Sequence, residues 1–243
     1  MTYQTIILLS NKRSGSTFIQ NIFRNNKNIK LFHKNQKQKV VECQYWSLSS
    51  ELLKKKINHK YFIDKLYKET KIDINSIFSK DITSEKDVFD LWEIILDHHK
   101  SNIFDKSPQY LSSIDCLNLI NNYSKYSKNV KLIFLIRDPR DIITSQYNLW
   151  RGDIKNREQN LINKLDNFYF FKKLYKDIYT IKYENFENNL YNEIKNMFNF
   201  SEVSYDEKEI KSIYFKKSIK YQNSFNSKVN QWIFDDKLTK YLN

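Results

Sequence analysis

At 243 residues, with 40% hydrophobic and 16% aromatic side chains, the chain is long enough and apolar enough to bury a core, which excludes a wholly disordered chain. A formal charge of +13, from 41 basic and 28 acidic residues, favours anionic partners: a polyphosphorylated nucleotide, an acidic glycan, nucleic acid or a membrane face. The basic residues are spread along the chain, with short clusters such as Lys54-Lys55-Lys56 and no basic tail, so charge alone selects none of these.

The first apolar run, Tyr3 to Leu9, reads as a buried strand. Its core, Ile6-Ile7-Leu8-Leu9, is far too short to span a bilayer, and no signal peptide precedes it, so a soluble, cytoplasmic protein is expected. A helix is expected from Ser16 to Asn25, then a short strand and loop over 30–46. Residues 47–100 read mostly as helix. Val88, Leu91, Trp92 and Ile95 form an apolar stripe behind a Ser84 N-cap that has Asp87 three residues on. Asn102 to Asp105 reads as a short strand. Val130 to Ile136 is nearly all apolar, which implies burial on both faces and therefore a parallel sheet. The next helix opens with Asp138 as N-cap, Pro139 at its first position and Asp141 in its first turn. Ile178 to Tyr183 is a further strand, and helices are expected over 160–176, 186–198 and 206–216. Strands alternating with helices predict an α/β fold with a central parallel sheet, and ligands at the strands' carboxyl ends. Cys43 and Cys116 lack both disulfide-framework and metal-ligand spacing and are expected as reduced, partly buried thiols.

Two loops carry the chemistry. Ser10 to Thr17 joins a strand directly to a helix, a turn that aims backbone N–H groups and a helix N-terminus at one point and suits phosphate. Lys12 and Arg13 add charge, and Ser14, Ser16 and Thr17 add hydroxyls. Average usage would give about 17 glycines in a chain this long; of the two present, Gly15 stands here, where backbone must approach a ligand closely. Against the G-x-x-x-x-G-K-[ST] pattern of nucleotide triphosphate loops, Ser10 replaces the first glycine and Ser16 the lysine, which weakens a kinase or ATPase reading. The second loop, Arg137-Asp138-Pro139-Arg140-Asp141, follows the best strand. Arg137 with Ser145, which shares a helix face with Asp141, suits a second phosphate, and Arg140 suits solvent or an acidic partner.

Together the loops resemble a known family. Lys12 to Thr17 is similar to the 5′-phosphosulfate loop of sulfotransferases that use 3′-phosphoadenosine 5′-phosphosulfate (PAPS), and Phe134 to Asp141 with Ser145 resembles their 3′-phosphate motif. Glu42-Cys43-Gln44-Tyr45-Trp46 looks like the segment that holds the catalytic glutamate in the glycan-modifying, heparan-sulfate-type branch. Asp105 to Tyr110 is similar to that branch's acidic–Lys–Thr/Ser–Pro–x–Tyr motif, and Lys182 to Phe186 resembles a late strand-end motif of structural role.

The resemblance implies a P-loop-type domain over 1–243, with about 47–100 as a helical insertion on the acceptor side. It implies PAPS as co-substrate, PAP as product and no metal. Lys12 or Arg13, with Lys106, would neutralise charge on the leaving oxygen. Glu42 would take the acceptor's proton, with His33 as rival, and His98 and His99 would only complement a helix end. Tyr45, Trp46 and Tyr110 suit an acceptor cleft or the core. The acceptor implied is a carbohydrate or glycolipid hydroxyl. The C-terminal stretch Ser224 to Trp232 lacks the glycine of the family's closing loop, and Lys228 is its cation for the 3′-phosphate. The competing readings are a P-loop nucleotide kinase or NTPase and, from charge and aromatics alone, a nucleic-acid-binding protein; the resemblance implies no nucleic acid partner.

Overall fold

The computed structural model describes residues 3–31, 42–208, 210 and 211. Along them run β1 (Thr5–Ser10), α1 (Ser16–Arg24), β2 (Ile29–Leu31), α2 (Tyr45–Leu53), α3 (His59–Thr70), the one-turn α4 (Ile74–Ile77) and α5 (Glu85–His99). There follow β3 (Asn102–Lys106), a 3-10 turn at Tyr110–Ser112, α6 (Ile114–Tyr126), β4 (Val130–Ile136), α7 (Pro139–Trp150), α8 (Ile154–Leu174), β5 (Ile178–Lys182) and α9 (Asn185–Phe200). The strands form one parallel sheet in the order β2-β3-β1-β4-β5. The expected α/β architecture, a central parallel sheet flanked by helices, is what the chain adopts.

Successive strand residues point to opposite faces, so each buried strand feeds two cores. Ile7, Leu9, Leu132 and Phe134 pack against α2, α3, α5, α6 and α8. Ile6, Leu8, Ile133 and Leu135 pack against α1 and α9. The helices of 47–100 belong to the first of these cores. Trp92 Nε1 donates to Thr5 Oγ1 on β1 at 2.7 Å, and the Trp46 and Trp92 rings lie 5.0 Å apart. Tyr45, Trp46 and Tyr110 are fully buried, which decides for the core over a cleft lining.

Local signals explain the element starts. Ser84 Oγ accepts from the Asp87 amide at 3.3 Å and Asp87 Oδ2 accepts from the Ser84 amide at 2.9 Å, closing the expected capping box on α5. Asp138 accepts from the Arg140 amide at 2.8 Å at the head of α7. α8 begins at Ile154, earlier than the expected 160, because Asp153 caps it through the Lys155 amide. α6, which the sequence analysis did not assign, is capped by Ser113. Only the start of the helix expected over 206–216 lies within the described residues. No helix among the described residues is long and apolar enough to cross a membrane.

Candidate active site

The sheet order builds the site. The chain leaves β1 for β2 and β3 on one side and returns to β4 on the other, so the topological switch point falls between β1 and β4. Ser10 pairs with Leu135 and Leu8 with Lys106 in register. The segments after β1, β3 and β4 therefore emerge along one edge, with the β1 segment in the middle.

The first loop is held from within. Ser14 Oγ donates to Asn11 O at 2.7 Å, and Arg13 and Gly15 take positive φ of 71° and 98°. In this state the Ser14 proton braces the loop rather than facing outward. α1 starts without a side-chain cap, and of its first turn the Phe18 amide donates to Gly15 O at 2.8 Å, an N-terminus of the kind that suits an anion. Lys12 and Arg13 are exposed, Gly15 and Thr17 half-buried and Ser16 buried. The glycine has a nearer cause than ligand approach: a Cβ on Gly15 would stand 2.3 Å from Cε2 of Tyr183.

That ring links the loop to the second motif. The Arg137 guanidinium lies 4.6 Å over the Tyr183 ring, and its Nη1 donates to Arg13 O at 2.9 Å. The Tyr183 amide donates to Ile136 O at 2.8 Å, which seats the ring beside β4. Arg13 Nε donates to Ser145 Oγ at 3.0 Å, and Gln146 Nε2 donates to Lys12 O at 3.1 Å. Where the sequence analysis paired Arg137 with Ser145, the hydroxyl of Ser145 here accepts from Arg13. Arg137 stands 3.7 Å from the buried carboxylate of Asp141, and Arg140 takes the acidic partner expected of it, Asp138, at 2.7 Å. Lys12, Arg13 and Arg137 thus gather on one rim.

Beside them, β3 ends in a second charged group. Lys106, 1% exposed, donates to Glu42 Oε1 at 3.1 Å, while the Glu42 side chain is 32% exposed. Burial pushes the Lys106 ammonium down, and Glu42 and Asp105 oppose it. Asp105 is buried, and burial pushes its carboxyl up to about 8; Glu69 adds to that, and Tyr110 and Lys106 oppose it.

With this geometry in place, comparison settles the family: the sequence matches the sulfotransferase family profile over residues 5–207. The chain belongs to the sulfotransferase family. The family draws its sulfuryl group from PAPS, and a sulfotransferase requires an acceptor hydroxyl. Solved structures share the fold. The sulfotransferase domain from the curacin biosynthetic pathway is 15% identical with a TM-score of 0.60, covering 87% of this chain and 78% of that one. The sulfotransferase domain from the Synechococcus PCC 7002 olefin synthase is 16% identical with a TM-score of 0.54, over 87% and 76%. Mouse sulfotransferase SULT7A1, solved with PAP, is 12% identical with a TM-score of 0.50, over 91% and 67%. No curated protein sequence matches the chain.

The sulfotransferase places its sequence-expected residues in two groups. Lys12, Arg13, Ser14, Gly15, Ser16, Thr17, Arg137 and Ser145 lie about the β1–β4 switch, and Glu42 and Lys106 meet at the end of β3. His33 and Lys228 lie outside the described residues. Burial, with Lys30 and His98 nearby, pushes His99 down to about 4, so it is neutral at pH 7 and lends no cation to the end of α5. Sequence reasoning missed Lys164 of α8, whose ammonium is pushed down by burial and by neighbouring Lys12. No motif marks it; the long α8 brings it there, with Asn167 donating to Leu111 O at 2.9 Å and Phe168 stacked on Phe134. Tyr183 was read only as structural, and its contact with both Gly15 and Arg137 gives that role its content.

Proposed function

We propose that the rim at the β1–β4 switch binds PAPS and that Glu42 and Lys106 serve transfer to a hydroxyl on a carbohydrate or glycolipid. The observation that carries this reading is the direct joining of the two motifs, Arg13 to Ser145 at 3.0 Å and Arg137 to Arg13 O at 2.9 Å. Motifs more than a hundred residues apart meet where one nucleotide with phosphate at both ends would touch both. Clustered cations and an uncapped α1 N-terminus fit such a ligand.

PAPS supplies an activated sulfuryl group and leaves as PAP. The residues have distinct tasks in this reading. Lys12, Arg13, Gly15, Ser16 and Thr17 hold the 5′ end, with Ser14 bracing the loop or turning its hydroxyl inward. Arg137 and Ser145, joined by Lys228, hold the 3′-phosphate and select against ATP. Ser16 in place of a P-loop lysine suits a terminal group of single charge. Arg13 and Lys106 neutralise charge on the leaving oxygen, the kind of preorganised electrostatic help that dominates many active sites. Glu42 takes the acceptor's proton through the oxygen not engaged by Lys106, for about 10²–10⁴-fold in rate. The 47–100 helices shape the acceptor side of a single domain. The glycan preference rests on the Glu42–Trp46 and Asp105–Tyr110 motifs. A cytoplasmic setting accords with two free, buried cysteines.

Calorimetry tests the donor. PAP is expected to bind in EDTA, and ATP with Mg²⁺ to bind far more weakly; the reverse order would overturn the reading in favour of a P-loop kinase. Incubation of ³⁵S-labelled PAPS with glycan, glycolipid and phenol panels then tests the acceptor. Label on phenols alone would sink the glycan assignment and leave the donor site standing.

A further inference from the structure

Tyr110 poses a problem of proton counting. Its Oη stands 2.5 Å from Cys43 O and 2.7 Å from Asp105 Oδ2. A phenol carries one hydrogen, a peptide carbonyl only accepts, and an ionised carboxylate only accepts. With Asp105 ionised, one of these two contacts sets lone pair against lone pair. Asp105, Tyr110 and Cys43 are at most 2% exposed, so water does not relieve the clash.

We propose that Asp105 is held as a neutral carboxylic acid that donates through Oδ2 to Tyr110, which donates to Cys43 O and thereby fixes the adjoining Glu42 against Lys106. Both contacts of the Tyr110 oxygen are then satisfied, each by one proton. The alternation of β3 supports this. Asp105 pairs with Ile7 and Lys106 with Leu8, so the two side chains leave the strand on opposite faces, and the Lys106 ammonium bonds to Glu42. Around Asp105 stand Lys106 on β3, Glu69 on α3, Cys116 on α6 and Cys43. Glu69 is a like charge and favours the neutral acid, Lys106 opposes it, and both thiols are pushed up by burial and stay uncharged. Glu69 also accepts from the Gln44 amide at 3.2 Å, so two acids grip the segment that carries Glu42. Asp105 and Tyr110 are positioning residues, and that role rests on the proposed function of Glu42; the protonation state does not.

The carboxyl is pushed up to about 8, so the proton is present at neutral pH and leaves as pH rises through that value. The folded acid holds its proton above the unfolded pKa of about 3.9, so its contribution to stability is full at acid pH. It declines as pH rises and is gone above about 8.

Infrared spectroscopy of the wild-type protein with ¹³C-labelled aspartate tests the proton directly. A protonated-carboxyl carbonyl band is expected at pH 7, shifted by the label, absent in Asp105→Asn and titrating away near pH 8. An absent band at pH 7 overturns the proposal, whatever the enzyme's activity. In the transfer assay, Asp105→Asn, whose amide can donate to Tyr110, should keep kcat at pH 7 within a few-fold and lose the alkaline limb. Tyr110→Phe should lower kcat roughly ten- to hundred-fold without changing PAP affinity. If Asp105→Asn keeps the wild-type alkaline limb, or Tyr110→Phe weakens PAP binding instead of kcat, the positioning role is wrong.

Discussion

On either side of β1 the protein treats charge in opposite ways. Toward β4, Lys12, Arg13 and Arg137 crowd one rim, held by a serine hydroxyl, a backbone carbonyl, a tyrosine ring and, beside Arg137, the Asp141 carboxylate at 3.7 Å. Toward β3, Lys106 is paired with Glu42, and burial disfavours the ionised form of Asp105 beside Tyr110. Crowded cations are stabilised by an arriving anion. A closed pair beside a neutral acid fixes geometry before anything arrives. The first arrangement suits binding and the second suits chemistry.

This division can be broken by substitution. Glu42→Gln should lower kcat by about 10²–10⁴-fold with PAP affinity intact; a matching loss of PAP affinity would erase the distinction between the two sides. Arg137→Ala should do the reverse. It should weaken PAP roughly 10–100-fold, as removal of charge-assisted hydrogen bonds does, and calorimetry in EDTA reads it. Unchanged PAP affinity would remove Arg137 from the donor site. Gly15→Ala sharpens the picture on the binding side, because the new Cβ meets the Tyr183 ring at 2.3 Å and φ is positive. Thermal melting should show a loss of about 1–3 kcal/mol. The pairing of Gly15→Ala with Tyr183→Ala should recover part of it; no recovery would mean that φ alone demands the glycine.

Much of this was legible in the chain. β4 announced itself by a nearly unbroken apolar run, α5 and α7 by their caps, and both basic motifs by residue type at a strand end. Less legible were features set by contacts distant in sequence. Gly15 was read as room for a ligand, whereas its neighbour is Tyr183. Tyr45, Trp46 and Tyr110 fitted a cleft as well as a core until burial decided. α6 was passed over although it carries a local signal, a Ser113 cap followed by Cys116, Leu117, Ile120 and Tyr123 at helical spacing. Lys164 has no motif at all.

The sequence by itself determined most element types, the two basic loops at strand ends and the family resemblance, since these depend on residues close in the chain. Tertiary structure alone decided that β1 lies between β3 and β4. Strand order is set by how the two faces of the sheet bury their cores, a global balance that no local window contains. That order brings Arg13 to Ser145 and Lys106 to Glu42, and it turns separate motifs into one site.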